Sequence, residues 1–86
     1  MVTLYVLIGE RDKRYVGITN NLERRMQEHE SGRTKSGQLI GDFRLLHTEK
    51  FEDYASARNR EKFLKSGVGR KWLALRYPRT RSAKGG

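Results

Sequence analysis

The fold is decided by residues 2–19, which read VTLYVLIGERDKRYVGIT. Residues 2–8 are almost continuously apolar and rich in β-branched side chains, a pattern typical of a short central strand buried on both faces. The polar segment 9–14, GERDKR, is typical of a turn, and residues 15–19, YVGIT, predict a second strand. Because the connection between the two runs is short, the pattern favours an antiparallel hairpin.

The segment after the hairpin predicts a helix followed by a loop. Asn20, with Glu23 three residues later, resembles a capping box and predicts the helix start. Ser31-Gly32 predicts its end. Residues 31–42, SGRTKSGQLIGD, are polar and rich in glycine, which is typical of a flexible loop.

The rest of the chain predicts one more strand and two more helices. Residues 43–51, FRLLHTEKF, predict the third strand. Asp53 is expected to cap a second helix that ends at Gly67, where a glycine suits a left-handed C-terminal cap. Residues 70–77, RKWLALRY, predict a short third helix that Pro78 stops.

These elements predict an α+β fold, in which a small three-stranded antiparallel sheet is flanked by helices in the order β-β-α-β-α-α. A chain of 86 residues has room for one domain, which we place at residues 1–78. Residues 79–86, RTRSAKGG, are expected to form a basic, flexible tail.

The composition excludes several functional classes. The chain has no cysteine and two histidines, which excludes disulfides and thiolate metal sites and argues against a multi-histidine zinc site. The longest aliphatic and aromatic run, Leu4–Ile8, is far shorter than the roughly 20 residues of a membrane span. No secretory signal pattern and no GxxxxGK[ST] phosphate-binding motif is present. We therefore expect a soluble, cytoplasmic protein that does not bind membranes.

The positive charge is concentrated at the C-terminal end. The net charge is +9; residues 1–61 carry 11 basic and 10 acidic side chains, whereas residues 62–86 carry eight basic and no acidic ones. Such a run attracts polyanions, since each neutralised phosphate releases counterions, and it favours contact with nucleic acid. The alternative is that these basic residues form a solvated helix face or a flexible tail without binding nucleic acid. We prefer this alternative only for residues 79–86. An anionic membrane is a weaker alternative, because no strongly amphipathic helix with an aromatic face accompanies the charge.

One carboxylate of the second helix falls where a core residue is expected. The spacing of 3, 4 and 3 places four residues on one helix face: Tyr54, Ala57, Glu61 and Leu64. A carboxylate beside the core is costly to desolvate unless a metal ion, an arginine or backbone donors compensate it. Alternatively, Glu61 lies at the boundary of the core and reaches solvent or a structural arginine. The spacing alone leaves both interpretations open.

The first helix places two further polar side chains beside its apolar seam. Arg25 and His29, at i and i+4, flank the seam formed by Leu22 and Met26. An arginine in this position can offer a planar fork to a phosphate. The alternatives are an arginine stem packed along the core and a histidine favoured by the helix C-terminus.

Two strand tyrosines would complete the cluster. If the hairpin pairs residues whose numbers sum to an even value, such as 20 or 22, Tyr5 and Tyr15 project from the same face. They would then converge with the arginine, histidine and glutamate over the sheet, although strand tyrosines commonly serve packing alone. His47, in the third strand, has no evident partner in the sequence, and we interpret it as structural.

Four short motifs follow one another in a fixed order. The first is Leu4-Tyr5-Val6 and the second is Tyr15-Val16-Gly17. They are followed by residues 20–29, NNLERRMQEH, and residues 58–67, RNREKFLKSG. The set resembles the GIY-YIG nuclease superfamily, especially its small stand-alone bacterial members, from residue 3 to about 75. The third motif is similar to the family's arginine followed four residues later by a histidine, and the fourth to its helix with the metal-binding glutamate.

By position, the resemblance implies a catalytic set of Tyr5, Tyr15, Arg25, His29 and Glu61. Glu61 would hold one Mg²⁺ or Mn²⁺ ion, and Arg25 would clamp the scissile phosphate. Tyr5 would be the general base, with its pKa lowered by the positive charges of Arg25 and the metal. His29 would take the proton onward, and Tyr15 would orient the water or a phosphate.

The chain also departs from the family pattern. Gly17 matches the structural glycine of the second motif, but Thr3 stands where the family name implies glycine and Val16 where it implies isoleucine. We expect little effect on the chemistry, since both are backbone or packing positions. Ile18 stands where some members have a lysine, so the resemblance does not imply a lysine that activates a tyrosine here.

The function implied by the resemblance is a metal-dependent DNA endonuclease of low sequence specificity. Branched or damaged structures are candidate substrates, DNA repair is a candidate process, and RNA and a protein partner are left open. A non-catalytic nucleic-acid-binding protein on the same fold is the alternative, and a protein-interaction adaptor is a third, which the basic segment disfavours. We expect nucleic-acid contacts from seven basic side chains: Arg24, Arg33, Lys35, Lys62, Lys65, Arg70 and Lys71.

Overall fold

The computed structural model describes residues 1–9, 13–30 and 43–78. The elements are β1 (Val2–Ile8), β2 (Arg14–Thr19), α1 (Leu22–Glu30), β3 (Arg44–Phe51), α2 (Tyr54–Lys65) and α3 (Gly67–Arg76). This order confirms the predicted β-β-α-β-α-α arrangement and the α+β fold class. The predicted loop at 31–42 and the tail at 79–86 lie outside the described residues. No helix in the described ranges is long and apolar enough to cross a membrane.

The sheet has the order β2-β1-β3, with both pairings antiparallel. The central position of β1 agrees with its continuous apolar sequence. In the hairpin, Tyr5 lies opposite Gly17 and Leu7 lies opposite Tyr15, so paired residue numbers sum to 22. Because side chains alternate between faces along a strand, this register places Tyr5 and Tyr15 on the same face of the sheet, as the even sum requires.

The two faces of β1 pack against different helices. Leu4 and Val6 belong to the larger core, together with buried residues of β2, α2 and α3: Val16, Leu64 and Leu73. Tyr5 and Leu7 form a second cluster, against which partly buried residues pack: Tyr15, Leu22, Met26 and Phe43. The tyrosines therefore lie on the α1 side of the sheet, whereas α2 packs its apolar residues on the opposite side.

Helix α1 begins two residues later than predicted. Asn21, not Asn20, caps it, because Asn21 Oδ1 accepts a hydrogen bond from the Arg24 N–H at 3.0 Å. The Thr19 hydroxyl oxygen accepts from the Asn21 N–H at 3.1 Å and holds the chain at the end of β2. Adjacent asparagines are equally good caps, so the length of the preceding strand decides between them.

A single serine joins α2 to α3. Asp53 caps α2 as predicted and accepts from the Ser56 N–H at 2.8 Å. The predicted left-handed cap at Gly67 is wrong: α2 ends at Ser66, whose backbone is extended with φ −80° and ψ 169°. Ser66 also caps α3 and accepts from the Gly69 N–H at 3.2 Å. Gly67 is therefore the first residue of α3, and that helix begins three residues before its predicted start.

A hydrogen-bonded network on the larger core's side explains His47. Its Nδ1 lies 2.6 Å from Tyr77 Oη and its Nε2 lies 2.8 Å from Glu49 Oε2. Arg60 donates to the same carboxylate from Nε at 3.0 Å and Nη2 at 3.2 Å, with its guanidinium 4.8 Å from the centroid of Trp72. The network ties β3 to α2 and to the end of α3, which agrees with a structural role for His47.

Candidate active site

Tyr5 is the centre of a polar cluster on the α1 side of the sheet. Arg25 Nε–H donates to Tyr5 Oη at 3.3 Å, and the same oxygen lies 3.3 Å from His29 Nε2. Because Arg25 and His29 are one helical turn apart on α1, a single helix brings both side chains to one phenol. The ring centroid of Tyr15 lies 6.2 Å from that of Tyr5 and 5.5 Å from that of His29. Four of the five predicted side chains therefore meet.

Gly17 provides the space that Tyr5 occupies. A Cβ atom on Gly17 would lie 2.5 Å from Tyr5 Oη and 2.7 Å from Tyr5 Cζ, closer than real Cβ contacts. Any side chain at this position would push the phenol away from its partners. This contact gives a physical reason for glycine in the second motif.

The cluster is mostly buried, with one exposed edge. Tyr5 is 1% exposed and His29 is 2% exposed, whereas the side chain of Arg25 is 34% exposed. Arg25 Nη1 donates to Glu28 Oε1 at 3.1 Å, which fixes the guanidinium over the phenol. An anion that approaches the cluster from solvent therefore meets Arg25 first. Glu28 was not among the residues predicted from the sequence, although its i+3 spacing from Arg25 favours this ion pair.

The pKa of Tyr5 is raised above its ordinary value because burial of the phenol opposes its ionisation. The hydrogen bond from Arg25 lowers this pKa, while the charges of Tyr15 and Glu61 raise it further. Arg25 thus acts in the expected direction, but in the metal-free protein desolvation is the larger effect. The expected further lowering of this pKa by a bound metal ion remains a prediction. At neutral pH the phenol keeps its proton.

The pKa values of two further members of the cluster, His29 and Arg25, shift in ways that complement Tyr5. Burial lowers the pKa of His29, and the nearby charge of Arg25 lowers it further, so the imidazole is neutral at pH 7. The hydrogen bond to Tyr5 raises the pKa of Arg25, so the guanidinium stays charged. A protonated phenol consequently lies between a cation and a neutral imidazole.

Glu61 comes from α2 and stands apart from this contact set. Its side chain is 15% exposed; Lys65 Nζ donates to Oε2 at 3.0 Å, and Arg58 Nε lies 3.6 Å from Oε1. Within the described ranges these two cations are its direct partners. Its negative charge nevertheless contributes to the raised pKa of Tyr5, so the carboxylate lies close enough to act on the phenol.

Glu61 offers a divalent ion a single carboxylate. In the described part of the chain, no group of three or more His, Cys, Asp or Glu side chains could hold a metal. A single carboxylate nevertheless suits Mg²⁺, which binds proteins through one or two carboxylates and completes its shell with water and phosphate oxygens. Glu61 is such a group, because its oxygens are hard donors and part of its side chain reaches solvent.

The basic residues predicted to contact nucleic acid occupy two layers of the fold. Arg24 lies on α1 with 63% of its side chain exposed, and four more cations are exposed on α2 and α3: Lys62, Lys65, Arg70 and Lys71. Their helices pack on opposite faces of the sheet, so these cations do not line one continuous face. Arg33 and Lys35 lie outside the described residues.

Comparisons with known proteins cover the sheet and all five candidate side chains. The GIY-YIG catalytic domain model matches residues 1–72. A UPF0213 protein of Natronomonas pharaonis is 38% identical over 64 residues, which cover 73% of this chain and 75% of the relative. A UPF0213 protein of Oceanobacillus iheyensis is 37% identical over 59 residues, or 67% of this chain and 69% of the relative. The solution NMR structure of a UPF0213 protein from Bacillus halodurans superimposes with a TM-score of 0.56 at 28% identity, covering 90% of this chain and 86% of that one.

Proposed function

The chain belongs to the GIY-YIG catalytic domain family, and on this basis we propose that it is a metal-dependent endonuclease that hydrolyses phosphodiester bonds in DNA. The observation that supports this proposal most is the pair of 3.3 Å contacts that joins Arg25 Nε, Tyr5 Oη and His29 Nε2. A protonated phenol between a charged guanidinium and a neutral imidazole can relay a proton. The guanidinium also reaches solvent, where a phosphate can bind it.

Arg25 binds the scissile phosphate. The planar guanidinium offers two or more parallel N–H donors to phosphate oxygens, and its raised pKa keeps it charged. Because charge increases on the phosphate oxygens as water attacks, a fixed cation at this position stabilises the transition state more than the bound substrate.

Tyr5 takes a proton from the attacking water and gives its own proton to His29. The phenol is protonated in the free protein, so it accepts a proton only as it loses one. His29 Nε2, 3.3 Å away, receives that proton and becomes imidazolium. The hydroxide oxygen bonds to phosphorus as the bond from phosphorus to the 3′ oxygen breaks, and the departing 3′ oxygen takes a proton from solvent water to become a hydroxyl. Tyr15, packed beside both rings, orients the water or a phosphate oxygen.

Glu61 would hold the divalent ion that nucleases of this family generally use. Bound Mg²⁺ or Mn²⁺ would neutralise the charge that develops on the phosphate and on the leaving 3′ oxygen. The carboxylate would supply a negatively charged oxygen ligand, and it is close enough for its charge to act on the Tyr5 phenol.

The substrate is DNA recognised through its backbone. The exposed cations of α1, α2 and α3 contact phosphates, and phosphate contacts carry no base information, so sequence specificity is low. Within this proposal, branched and damaged DNA are the first substrates to test, and DNA repair is the first process to test.

One set of observations favours a non-catalytic nucleic-acid-binding protein as the second candidate. Tyr5 is almost fully buried, and Glu61 is already neutralised by Lys65 and Arg58. A binder requires the basic surface but neither an accessible phenol nor a free carboxylate.

A cleavage screen distinguishes the two candidates. Labelled duplex, single-stranded, flap and four-way-junction DNA, with matched RNA oligonucleotides, are incubated with Mg²⁺, Mn²⁺ or EDTA. Wild-type protein should cut DNA with either metal and leave 3′-hydroxyl ends. Glu61→Gln should cut about 10²–10³-fold more slowly, while Glu52→Gln, at an exposed carboxylate, should cut normally. Binding that persists in EDTA, without strand breaks under any metal, would instead support the non-catalytic candidate.

A further inference from the structure

Both oxygens of the Glu61 carboxylate face a cation from the same helix. Lys65 Nζ lies 3.0 Å from Oε2, within hydrogen-bond distance, whereas Arg58 Nε lies 3.6 Å from Oε1, too far for a hydrogen bond. Lys65 follows Glu61 at i+4, the more favourable order for a helical ion pair. Lys65 is therefore the stronger partner of this carboxylate in the metal-free protein.

Lys65 and a divalent ion compete for the same carboxylate. A Mg²⁺ ion binds a carboxylate oxygen at about 2.0–2.1 Å. An ammonium group held 3.0 Å from Oε2 would then lie only a few ångströms from the ion, and the two positive charges repel each other. The side chain of Glu61 is 15% exposed and that of Lys65 is 53% exposed, so the lysine is the partner that is free to move.

Resting on the proposed function, we propose that Lys65 is a positioning residue with two alternative partners. In the metal-free protein, its ammonium group pairs with the Glu61 carboxylate. When a divalent ion binds that carboxylate, the ammonium group moves and binds a phosphate of the DNA. The flexible four-carbon stem keeps the ammonium within one helical turn of the metal site. Metal binding thus releases a cation for the DNA backbone, and DNA in turn draws Lys65 away from Glu61. By linkage, the ion and the DNA each raise the affinity for the other by the same factor.

Metal affinity in the absence of DNA tests the first half of this exchange. Mn²⁺ binding is titrated by calorimetry for the wild type, Lys65→Met and Lys62→Met. Lys62 is an exposed lysine of the same helix, and its substitution removes the same charge without touching the Glu61 ion pair. Breaking an exposed ion pair corresponds to about two- to fivefold in affinity, so Lys65→Met should bind Mn²⁺ about two- to fivefold more tightly than Lys62→Met does.

The second half is tested by the coupling between metal and DNA. Duplex affinity is measured with and without saturating Mn²⁺ in a Tyr5→Phe background, where the proposed relay is absent. Mn²⁺ should raise the duplex affinity about two- to fivefold when Lys65 is present, and this gain should shrink in Lys65→Met. Lys62→Met, which lacks another proposed phosphate contact, should bind the duplex more weakly with and without Mn²⁺ but should keep the gain. Matching thermal midpoints among the variants establish that each is folded.

Mn²⁺ binding to Glu61→Gln separates a failure of the lysine exchange from a failure of the metal assignment. If Glu61→Gln loses Mn²⁺ binding but Lys65→Met binds the ion no more tightly than Lys62→Met, the exchange is refuted and Glu61 remains the ligand. If Glu61→Gln binds Mn²⁺ as the wild type does, the metal assignment itself fails and the exchange fails with it.

Discussion

The contact between Gly17 and Tyr5 allows the sharpest prediction. In Gly17→Ala, the new Cβ would lie 2.5 Å from Tyr5 Oη, whereas ordinary contacts begin at 3.4 Å; the hydroxyl must therefore move by about 0.9 Å, the difference between the two distances. Its contacts with Arg25 Nε and His29 Nε2 are both 3.3 Å long, close to the limit for a hydrogen bond, so a shift of this size is expected to weaken or misalign them. A misplacement of about 1 Å at a reacting group costs roughly 10²-fold in rate.

The same substitution also affects stability. Tyr5 is 1% exposed and has little room to rearrange, and overpacking of a filled core costs about 1–3 kcal/mol. The lower conformational entropy of unfolded alanine offsets about 0.4–1 kcal/mol of that cost. The net loss, roughly 0–2.6 kcal/mol by this arithmetic, leaves a folded protein, so the loss of activity can be measured separately from unfolding.

The assay is the initial rate of plasmid nicking with Mn²⁺, run beside urea unfolding followed by circular dichroism. The matched control is Gly67→Ala, since a Cβ there would meet nothing within 4 Å. Gly67→Ala should nick at the wild-type rate and be equally stable or more stable, whereas Gly17→Ala should nick about 10²-fold more slowly. Wild-type nicking by Gly17→Ala would show that the position of the Tyr5 hydroxyl does not matter for cleavage.

Three further outcomes follow from the same geometry. Because the pKa of His29 is lowered, the cleavage rate should fall with decreasing pH at a midpoint below about 6.5, the ordinary pKa of histidine, and His29→Gln should lack this fall. As the pH drops, His29 takes up a proton in the unfolded chain before it does so in the folded protein. The free energy of unfolding should therefore also decrease as the pH falls from about 6.5 toward the pKa of folded His29. Arg60→Met removes both guanidinium hydrogen bonds from the partly buried Glu49 carboxylate and leaves, within the described ranges, only its contact with His47. It should cost about 1–3 kcal/mol by urea unfolding with no change in Mn²⁺ affinity; unaltered stability would mean that the network is dispensable. Deletion of residues 79–86, which carry three basic side chains, should reduce the salt slope of DNA binding by up to about 2.7 in fluorescence anisotropy, and an identical slope would show that the tail makes no phosphate contact.

The hairpin and the faces on which its side chains lie were predictable, because side chains alternate strictly between the two faces of a strand. Once residue numbers in the hairpin sum to an even value, Tyr5 and Tyr15 must share a face, and the register of 22 meets that condition. The i,i+4 spacing of Arg25 and His29 likewise fixes their relation on α1. The relation of Arg25 to His29 depends on local periodicity alone, whereas the shared face of the tyrosines was conditional on an even register, which only the structure supplies.

Helix ends and ionisation were less predictable because they depend on competing neighbours. Asn20 and Asn21 are interchangeable as caps until the end of β2 is known, and Ser66 competes with Gly67 at the junction of α2 and α3. The ion pairs of Glu61 depend on which rotamers Arg58 and Lys65 adopt. Spacing predicts that these side chains lie near one another but not which of them touch.

The raised pKa of Tyr5 follows from burial by several elements at once, and it has a consequence for Arg25. An ionised phenolate would pair with the guanidinium in the free protein and weaken its attraction for a phosphate. Since desolvation keeps Tyr5 protonated, Arg25 shares its charge with Glu28 alone among the described carboxylates and remains available to an incoming anion. The Arg25 Nε–H also occupies a lone pair of Tyr5 Oη, and the phenol can donate its proton to His29 Nε2 in the tautomer that leaves this nitrogen unprotonated. In the proposed mechanism, the hydrogen bond from Arg25 therefore favours transfer of the phenolic proton to His29, while burial of the phenol keeps Arg25 available to the phosphate.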